Sequence, residues 1–484
     1  MQTLDTQTTP ARPERVADAD ITTAVEMLFH TKRGVNAHLI DIVTREGIVE
    51  LAGFTDNLLA RSRAEQLALA VRGVRGVINE LVVRTQEVPD QQLLRDVELA
   101  LSSDAATADY NVRCAVAQGV ATLTGMVQSW VEKQLVLRVL EGVRGVRGIE
   151  AGHLDIRGSG LVNSDEEITA QIQELLDWDI RVNSVLVQVR TSQQVVHLTG
   201  TVGTAEEKAR VVATAHQAGA VRVDARDLFV ACWALDPHLR PDKLAPKADA
   251  EIGAAVRDTF RFDPRVLSYE PTVQVQAGVV TLTGTVSNLR AKQAAEQDAR
   301  DVVGVWDVHN LLRVRAGQLL TDSDIRRDVV AALARDPYVG CTDFSVNVYN
   351  GKVYLYGRTN SHFEQEQAGA VAAGVNGVAA IENRVEVFGG DQPAGTVPAG
   401  ATAPFPADGL SPDHALAARV RTCYFWSAAL HAQDVEVQVD NGRVTLNGTV
   451  HTWHERKQAA LDALEMGAHT VNNHLRVAAG HDRG

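Results

Sequence analysis

Histidine is unevenly distributed in this 484-residue chain, and a group with metal-binding chemistry lies near its end. Seven of the 15 histidines follow residue 411. His451, His454 and Glu455 stand at the start of a predicted helix, where one turn would bring three possible zinc ligands together. An exposed, histidine-rich helix start fits the same residues. The second interpretation is favoured, because the spacing matches no established zinc signature.

The absence of common catalytic motifs argues against an enzyme. The sequence contains no GxSxG, HExxH, Walker A or CxxC motif. The four cysteines lie far apart, which predicts reduced thiols in a reducing compartment. The glycines of GVRGVRG at 142–148 resemble a phosphate-binding loop, but they fall where a helix must end, so capping is favoured. We therefore predict no catalytic activity and no cofactor.

The chain repeats one pattern six times. A motif of alternating apolar residues closed by glycine recurs at intervals of roughly 70 to 90 residues, which is a period typical of domain arrays. These reference glycines, predicted to be structural, are Gly53, Gly125, Gly200, Gly284, Gly357 and Gly448. Each copy therefore forms one small structural unit.

Signals at fixed distances from the reference glycine predict the elements of each unit. Six residues before it lies a hairpin turn, clearest as Asn350-Gly351 and Asn441-Gly442, because both turn residues tolerate positive φ. Four residues after it lies a helix N-cap, in four units followed by a glutamate that predicts a capping box. A second glycine about twenty residues on predicts the helix end. The predicted order is helix, strand, strand, helix, strand.

The first residue inside each second helix is unexpectedly apolar or aromatic. This position normally faces outward, and exposed aromatic or apolar side chains there suit protein contacts and membrane interfaces. The predicted interaction surface comprises Leu58, Trp130, Leu289, His362 and Trp453. Local packing against the helix end is the alternative, as in a hydrophobic staple.

The repeats and proline-containing stretches predict domain boundaries. The six units are 19–88, 90–158, 164–232, 249–316, 321–388 and 412–478, of which the third is degenerate. The predicted connecting segments are a disordered tail at 1–18, a proline-containing linker at 233–248 and a flexible linker at 389–411. The predicted fold class is α+β, because helices and strands alternate within each unit.

The units resemble the BON (bacterial OsmY and nodulation) domain. Unit four carries the resemblance most clearly, with VQVQAGVVTLTGTVSN followed by DVVGVWDVHNLLRV. The resemblance implies six tandem BON-like domains with the αββαβ fold, each a small three-stranded mixed sheet with two helices on one face of it. It also implies that the domains have no enzymatic activity. It also implies phospholipid binding, envelope maintenance and a role in osmotic or other stress. Some cytoplasmic relatives are linked to potassium binding.

The net charge and the N-terminal residues limit the classes of partner and the location that the sequence predicts. The formal net charge of −14 opposes sequence-independent binding of nucleic acid and disfavours anionic lipid. Residues 1–20 show no export signal, and no apolar run is long enough to span a bilayer, so we predict a cytoplasmic protein. The leading hypothesis is a multivalent, stress-related scaffold that binds copies of itself, another protein or phospholipid head groups. The alternative is a cytoplasmic K⁺-binding stress sensor.

Overall fold

A computed structural model describes residues 16–157, 164–239, 243, 245–315, 320–388, 412–431 and 433–477. The predicted flexible linker and all but the last three residues of the predicted tail lie outside these ranges. The described residues form six domains, numbered here in chain order. The first helices are Asp18–Thr31, Asp90–Ser103, Asp165–Trp178, Asp249–Phe262, Asp322–Arg335 and Pro412–Trp426. The second helices are Leu58–Leu69, Trp130–Glu141, Ala205–Gln217, Leu289–Arg300, His362–Gly374 and Trp453–Glu465.

Each domain folds its strands into a mixed sheet, and the predicted α+β class is confirmed. The hairpins pair Ile40–Arg45 with Ile48–Thr55, Val112–Ala117 with Val120–Val127, Val187–Ser192 with Val195–Val202, Thr272–Gln276 with Val279–Thr283, Ser345–Tyr349 with Lys352–Thr359, and Asp434–Asp440 with Arg443–Val450. The last strand lies parallel to the second, because the second helix crosses over between them. It is continuous in Gly148–Ile156 and Ala380–Val387, and it is split into two short pieces in the other four domains.

The split last strands are Gly76–Asn79 with Val82–Val83, Arg222–Asp224 with Leu228–Val230, Asp307–Asn310 with Arg313–Val314, and Thr470–Asn473 with Arg476–Val477. The second strand of domain 4 continues in the short piece Thr285–Val286, which pairs with Arg313–Val314. The short helical segments are Ala37–Leu39, Ser184–Leu186, Cys232–Leu235, Pro237–Leu239 and Pro264–Leu267.

The second helices begin at the six residues that the sequence indicates. Asn57, Ser129, Thr204, Asn288, Ser361 and Thr452 each accept a hydrogen bond from the backbone N–H three residues on. Only Thr452 and Glu455 complete the capping box. The glutamates of the other three predicted boxes bond to the backbone N–H of the residue before the cap, as Glu132 does with Gln128 at 2.6 Å. The carboxylate reaches one residue further back than a capping box requires.

An aspartate at the start of each first helix holds the hairpin turn of the same domain. In domain 1 the two Asp18 carboxylate oxygens accept from the backbone N–H groups of Glu46 and Gly47, both at 2.8 Å. The same pair of bonds recurs from Asp90, Asp165, Asp249, Asp322 and Asp413. These bonds to an ionised group fix the helix against the turn.

An asparagine or a lysine ties the last strand to the second helix. The Asn79 amide donates to the Arg61 carbonyl at 3.2 Å, and Asn310, Asn383 and Asn473 make the equivalent bond in domains 4 to 6. Domains 2 and 3 lack this asparagine. There, the side chains of Lys133 and Lys208 donate from the helix to carbonyls of the last strand. The same connection is therefore made from the opposite side.

Candidate interaction surfaces

Four of the five residues predicted to form an interaction surface contact another domain of the same chain: Leu58, Trp130, Leu289 and Trp453. The fifth, His362, has its Nδ1 3.3 Å from Gln365 Oε1 of its own helix. Leu58 of domain 1 is buried in the core of domain 2, beside Leu93 and Leu140. Trp130 of domain 2 stacks on His216 of domain 3, with ring centroids 5.2 Å apart. Ala205 of domain 3 is buried in the core that contains domain 1. Domains 1, 2 and 3 therefore form a closed ring.

Domains 4, 5 and 6 form a second ring in the same manner. Leu289 of domain 4 packs on the core of domain 5. The second helices of domains 5 and 6 pack against each other, with His362 at the start of the first of them. Trp453 of domain 6 donates from Nε1 to the Trp306 carbonyl of domain 4 at 3.1 Å. The guanidinium groups of Arg300 and Arg456 lie 5.2 and 5.0 Å from the centroid of its ring.

The two rings are joined through three pairs of domains. The pairs are domains 1 and 6, domains 2 and 5, and domains 3 and 4. In each pair, the chain after the first helix of one domain makes backbone hydrogen bonds with the chain after the second helix of the other. Examples are Arg72 N to Trp426 O at 2.8 Å, Ala105 N to Gly374 O at 2.8 Å and Val303 N to Trp178 O at 2.9 Å. The six domains thus form one body, in which each domain contacts both others of its ring and one domain of the other ring.

Buried charges distinguish the three pairs. Between domains 1 and 6, Lys32 Nζ lies 2.5 Å from Asp462 Oδ1 and 3.2 Å from Glu465 Oε2. Burial alone would lower the pKa of Lys32, but these carboxylates outweigh it and hold the pKa above its ordinary value. Arg63 adds a second bond to Glu465 at 2.7 Å.

The other pairs use different charged groups at the corresponding places. Between domains 3 and 4, Arg181 bridges Asp179 at 2.9 Å and Asp301 at 2.8 Å. Burial raises the pKa of Asp301 to about 6, against the opposing effect of Arg181. Between domains 2 and 5, Asp104 pairs with Arg290, which reaches in from domain 4 at 3.1 Å. Because breaking a buried pair leaves an uncompensated charge, these groups disfavour incorrect pairings.

The suggested zinc ligands engage other partners. Glu455 Oε2 accepts from the backbone N–H groups of His451 and Thr452, at 2.7 and 2.9 Å. His451 Nδ1 lies 2.9 Å from Gln433 Nε2, and His454 is one of the groups that oppose the rise in the pKa of Asp301 in domain 4. Among the residues that the structure describes, no group of three or more His, Cys, Asp or Glu side chains is placed to hold a metal ion.

The local structure requires glycine at the reference positions. Gly53 has φ +110°, and a Cβ added there would lie 2.2 Å from the Leu39 carbonyl oxygen. Gly357 lacks the positive φ, but an added Cβ would lie 2.9 Å from the Phe344 ring. Both sites therefore exclude a side chain, for different reasons.

The helices lie between domains, and the opposite face of each sheet is directed outward. These outer faces share one backbone frame and differ in chemistry. A central row of three cross-strand neighbours shows this difference. In domains 1 to 6 the rows are Val43–Glu50–Ile78, Ala115–Thr122–Glu150, Arg190–His197–Asp224, Gln274–Thr281–His309, Asn347–Tyr354–Glu382 and Gln438–Thr445–Asn472.

The outer face of domain 5 combines aromatic and basic side chains. Tyr349 is 70% exposed, and the half-buried Tyr354 and Tyr356 project from the central strand beside it. Three cations lie over aromatic rings of this face: Lys352 over Tyr354 at 4.7 Å, Arg358 over Phe388 at 4.4 Å and Arg384 over Tyr356 at 5.8 Å. Glu382 and Glu386 pair with these cations. Each of the three cations of this face therefore contacts both an aromatic ring and a carboxylate.

The repeated αββαβ unit and its spacing match a known family across most of the chain. The family model described as BON domain matches residues 17–85, 89–158, 164–226, 248–316, 321–388 and 412–479. The chain belongs to the BON-domain family. The predicted resemblance is thereby confirmed, and each of the six domains corresponds to one BON match.

Two curated relatives share parts of the BON array. Osmotically-inducible protein Y of Escherichia coli (strain K12) is 29% identical over 145 residues, which cover 28% of this chain and 70% of that protein. Outer membrane lipoprotein DolP of Haemophilus influenzae is 31% identical over 115 residues, which cover 23% of this chain and 58% of that protein. Within the described part of this chain, no helix has the length and apolar content that a membrane span requires.

A solved structure with a similar segment is that of CdsD, a structural protein of the type III secretion system of Chlamydia trachomatis. It is 15% identical, covers 47% of this chain and 94% of the other, and has a TM-score of 0.13. Similarity at that level supports no inference about overall fold or function.

Proposed function

We propose that this BON protein is a non-catalytic scaffold that attaches to phospholipid membranes through the outer face of domain 5. The six domains pack through their helices and hold their outer faces at fixed positions. The row chemistry differs from face to face, so a single chain can present several binding surfaces. A membrane surface is the partner that the domain 5 face fits best.

The aromatic and basic composition of that face carries the proposal. Tyrosine has an apolar ring and a polar hydroxyl, which suit the boundary between lipid head groups and acyl chains. Lysine and arginine keep their charge among the head groups while their stems cover apolar surface. The chain as a whole carries −14, so the attraction must come from this local face. The relative that is an outer membrane lipoprotein supports the same setting.

Flotation with vesicles tests the proposal. The full chain is mixed with vesicles of phosphatidylcholine alone, or of phosphatidylcholine with phosphatidylglycerol. We expect the wild-type chain to float with the vesicles that contain phosphatidylglycerol. The double variant Tyr354→Ser, Tyr356→Ser should remain in the bottom fraction, because it loses the interfacial aromatic groups. The matched control changes Thr445→Ser and Asn447→Ser, which hold the same positions in domain 6 and should leave flotation unchanged.

Two outcomes would refute membrane attachment through domain 5. One is a wild-type chain that does not float with either vesicle. The other is a tyrosine variant that floats as well as the wild type, which would place the lipid contact elsewhere. The alternative of a K⁺ sensor rests on the family resemblance, and the cytoplasmic location stays a prediction from the sequence. Calorimetry with K⁺ and with Na⁺ distinguishes the sensor from the scaffold.

A further inference from the structure

A cleft of about 500 Å³ lies between domain 4, domain 6 and residues 243 and 245–248, which precede domain 4. Its lining combines aliphatic side chains with two tryptophans, Trp306 and Trp453. The charged residues of the lining are Lys243, Lys247, Arg300 and Asp249. The volume lies within the range of roughly 300–1,000 Å³ that small-molecule sites occupy. The cleft is therefore large enough for a small organic ligand.

Trp306 replaces a residue that is not aromatic, or not apolar, in the other domains. Its backbone N–H donates to the carbonyl of the hairpin glycine Gly278 at 2.8 Å. In domains 1, 2, 5 and 6, the residues that make this bond are Arg75, Arg147, Ala379 and His469. The shared frame thus accepts several side chains here. Trp306 is 48% exposed in spite of its large apolar ring, and the frame does not explain it.

The two cations at the cleft also depart from the shared frame. Lys247 lies against Gly304, whereas Val16, Val88 and Leu320 lie against the corresponding glycines of domains 1, 2 and 5. Arg300 is the last of the 12 residues of its helix. The twelfth residues of the other second helices are Leu69, Glu141, His216, Ala373 and Leu464. Domain 4 therefore brings a lysine, an arginine and a tryptophan together where the fold requires none of them.

The other two charged residues of the lining are engaged in holding the structure. Lys243 Nζ donates to three carbonyl oxygens at the end of the first helix of domain 3, those of Leu176, Asp177 and Asp179. The carboxylate oxygens of Asp249 accept from the N–H groups of the hairpin turn of domain 4, at 2.8 and 2.9 Å. Neither charge is directed to a ligand, so the electrostatic character of the cleft depends on Lys247 and Arg300.

Lys247 and Arg300 have capacity left for an anion. Among the residues that the structure describes, Lys247 forms no ion pair, and its Nζ lies 5.9 Å from the centroid of the Trp178 ring. Arg300 Nη2 pairs with Glu296 at 2.7 Å, but the Arg300 side chain is 30% exposed. Its Nε is buried without a hydrogen-bond partner in the described part of the chain. A guanidinium with an unused donor gains from a ligand that carries an acceptor.

The combination of indoles and cations selects the class of ligand. A planar aromatic ring packs well on the face or edge of an indole. A carboxylate, sulfonate or phosphate pairs with an ammonium and a guanidinium. The chain carries −14 in total, so two cations beside an apolar wall are a local exception to its charge. We propose that this cleft binds a small aromatic anion, with its ring at Trp306 and its acidic group at Lys247 and Arg300.

Fluorescence titration of the full chain with 8-anilinonaphthalene-1-sulfonate tests the proposal. This probe is an aromatic anion, and N-phenyl-1-naphthylamine has the same ring system without the sulfonate. We expect saturable binding of one sulfonate probe per chain at this cleft. The uncharged probe should bind about tenfold more weakly, because it forms no charge-assisted hydrogen bond with the two cations.

Two variants separate the contributions of charge and ring. In the double variant Lys247→Gln, Arg300→Gln, the dissociation constant of the sulfonate probe should rise by about tenfold or more. That of the uncharged probe should stay within about twofold, because the apolar wall is intact. Trp306→Ala introduces the residue that domain 5 carries at this position, so the fold accepts it. This variant should weaken the binding of both probes.

A matched control removes the same charge elsewhere. The double variant Arg75→Gln, Arg147→Gln changes the positions that correspond to Trp306 in domains 1 and 2, and it should bind the sulfonate probe as the wild type does. A wild type without saturable binding would overturn the proposal. So would a Lys247→Gln, Arg300→Gln variant that binds the sulfonate probe as tightly as the control. A preserved melting temperature separates loss of binding from loss of fold. Vesicle flotation depends on the tyrosines of domain 5 and tests the proposed function independently.

Discussion

Domains 1 and 6 share a core and a backbone frame, yet their outer faces differ. Their buried apolar residues form one continuous cluster, and Lys32 of one is paired with Asp462 of the other. Asp18 and Asp413 hold the two hairpin turns in the same way. On the outside, Val43 and Ile78 in domain 1 correspond to Gln438 and Asn472 in domain 6.

The difference shows that the inward and outward sides of these domains meet different requirements. Inward residues must satisfy a helix cap, a turn or a charge in a neighbouring domain, so one change affects several partners. Outward residues on a sheet meet solvent and tolerate substitution without loss of stability. Binding specificity can therefore vary on the outer faces while the body stays fixed.

The largest effect is expected from breaking the charge pair between domains 1 and 6. Asp462→Ala leaves Lys32 buried with only Glu465 as a carboxylate partner. We expect the free energy of unfolding to fall by about 3 kcal/mol, because a buried charge loses its main compensation. Urea denaturation measures the change. The exposed pair of Arg45 and Glu50 is the control, and Arg45→Ala should cost less than about 1 kcal/mol. Equal losses in the free energy of unfolding would show that burial of the Lys32–Asp462 pair does not raise the cost of breaking it.

A smaller effect is expected at the aspartates that hold the turns. Asp18→Ala and Asp413→Ala each remove two hydrogen bonds from backbone N–H groups to a carboxylate. We expect each to lower the free energy of unfolding by about 1.5–3 kcal/mol, by similar amounts in the two domains. Asp20→Ala, at an exposed position of the same helix, is the control. Clearly unequal costs would contradict a shared frame.

The smallest effect on stability is expected on the outer face. Val43→Gln with Ile78→Asn should change the free energy of unfolding by no more than about 0.5 kcal/mol per site, because both side chains already meet solvent. Thermal unfolding measures the change. A large loss would mean that these two exposed side chains support the fold of their own domain.

Local structure could be predicted from the sequence to a large extent. The hairpin at Asn441-Gly442 and the caps from Asn57 to Thr452 depend on residues close together in the chain, where turn and cap chemistry is decisive. The glycines predicted to end the second helices lie beyond them: the helix of domain 1 ends at Leu69, four residues before Gly73. The aspartates at the first helices are visible as acidic starts, but their bonds span about thirty residues. No residue near these aspartates in the chain indicates that they accept hydrogen bonds from a hairpin turn.

The arrangement of the domains could not be predicted. Leu58 and Trp130 stand out as apolar residues at exposed helix positions, and this pattern does not distinguish a neighbouring domain from another molecule. The ion pair of Lys32 and Asp462 joins residues 430 positions apart, with no repeated spacing to reveal it. Once the strand register is known, the residues of each outer row can be read from the sequence.

The closed double ring limits what multiple domains can achieve on a flat surface. Its six outer faces are held at fixed positions by the packing of the helices, so they cannot turn independently toward one plane. Tandem domains on flexible linkers gain avidity because each of them can reach the same surface, and this body lacks that freedom. A rigid body of this kind is better suited to bridging: one side holds a surface while another side remains free to hold something else.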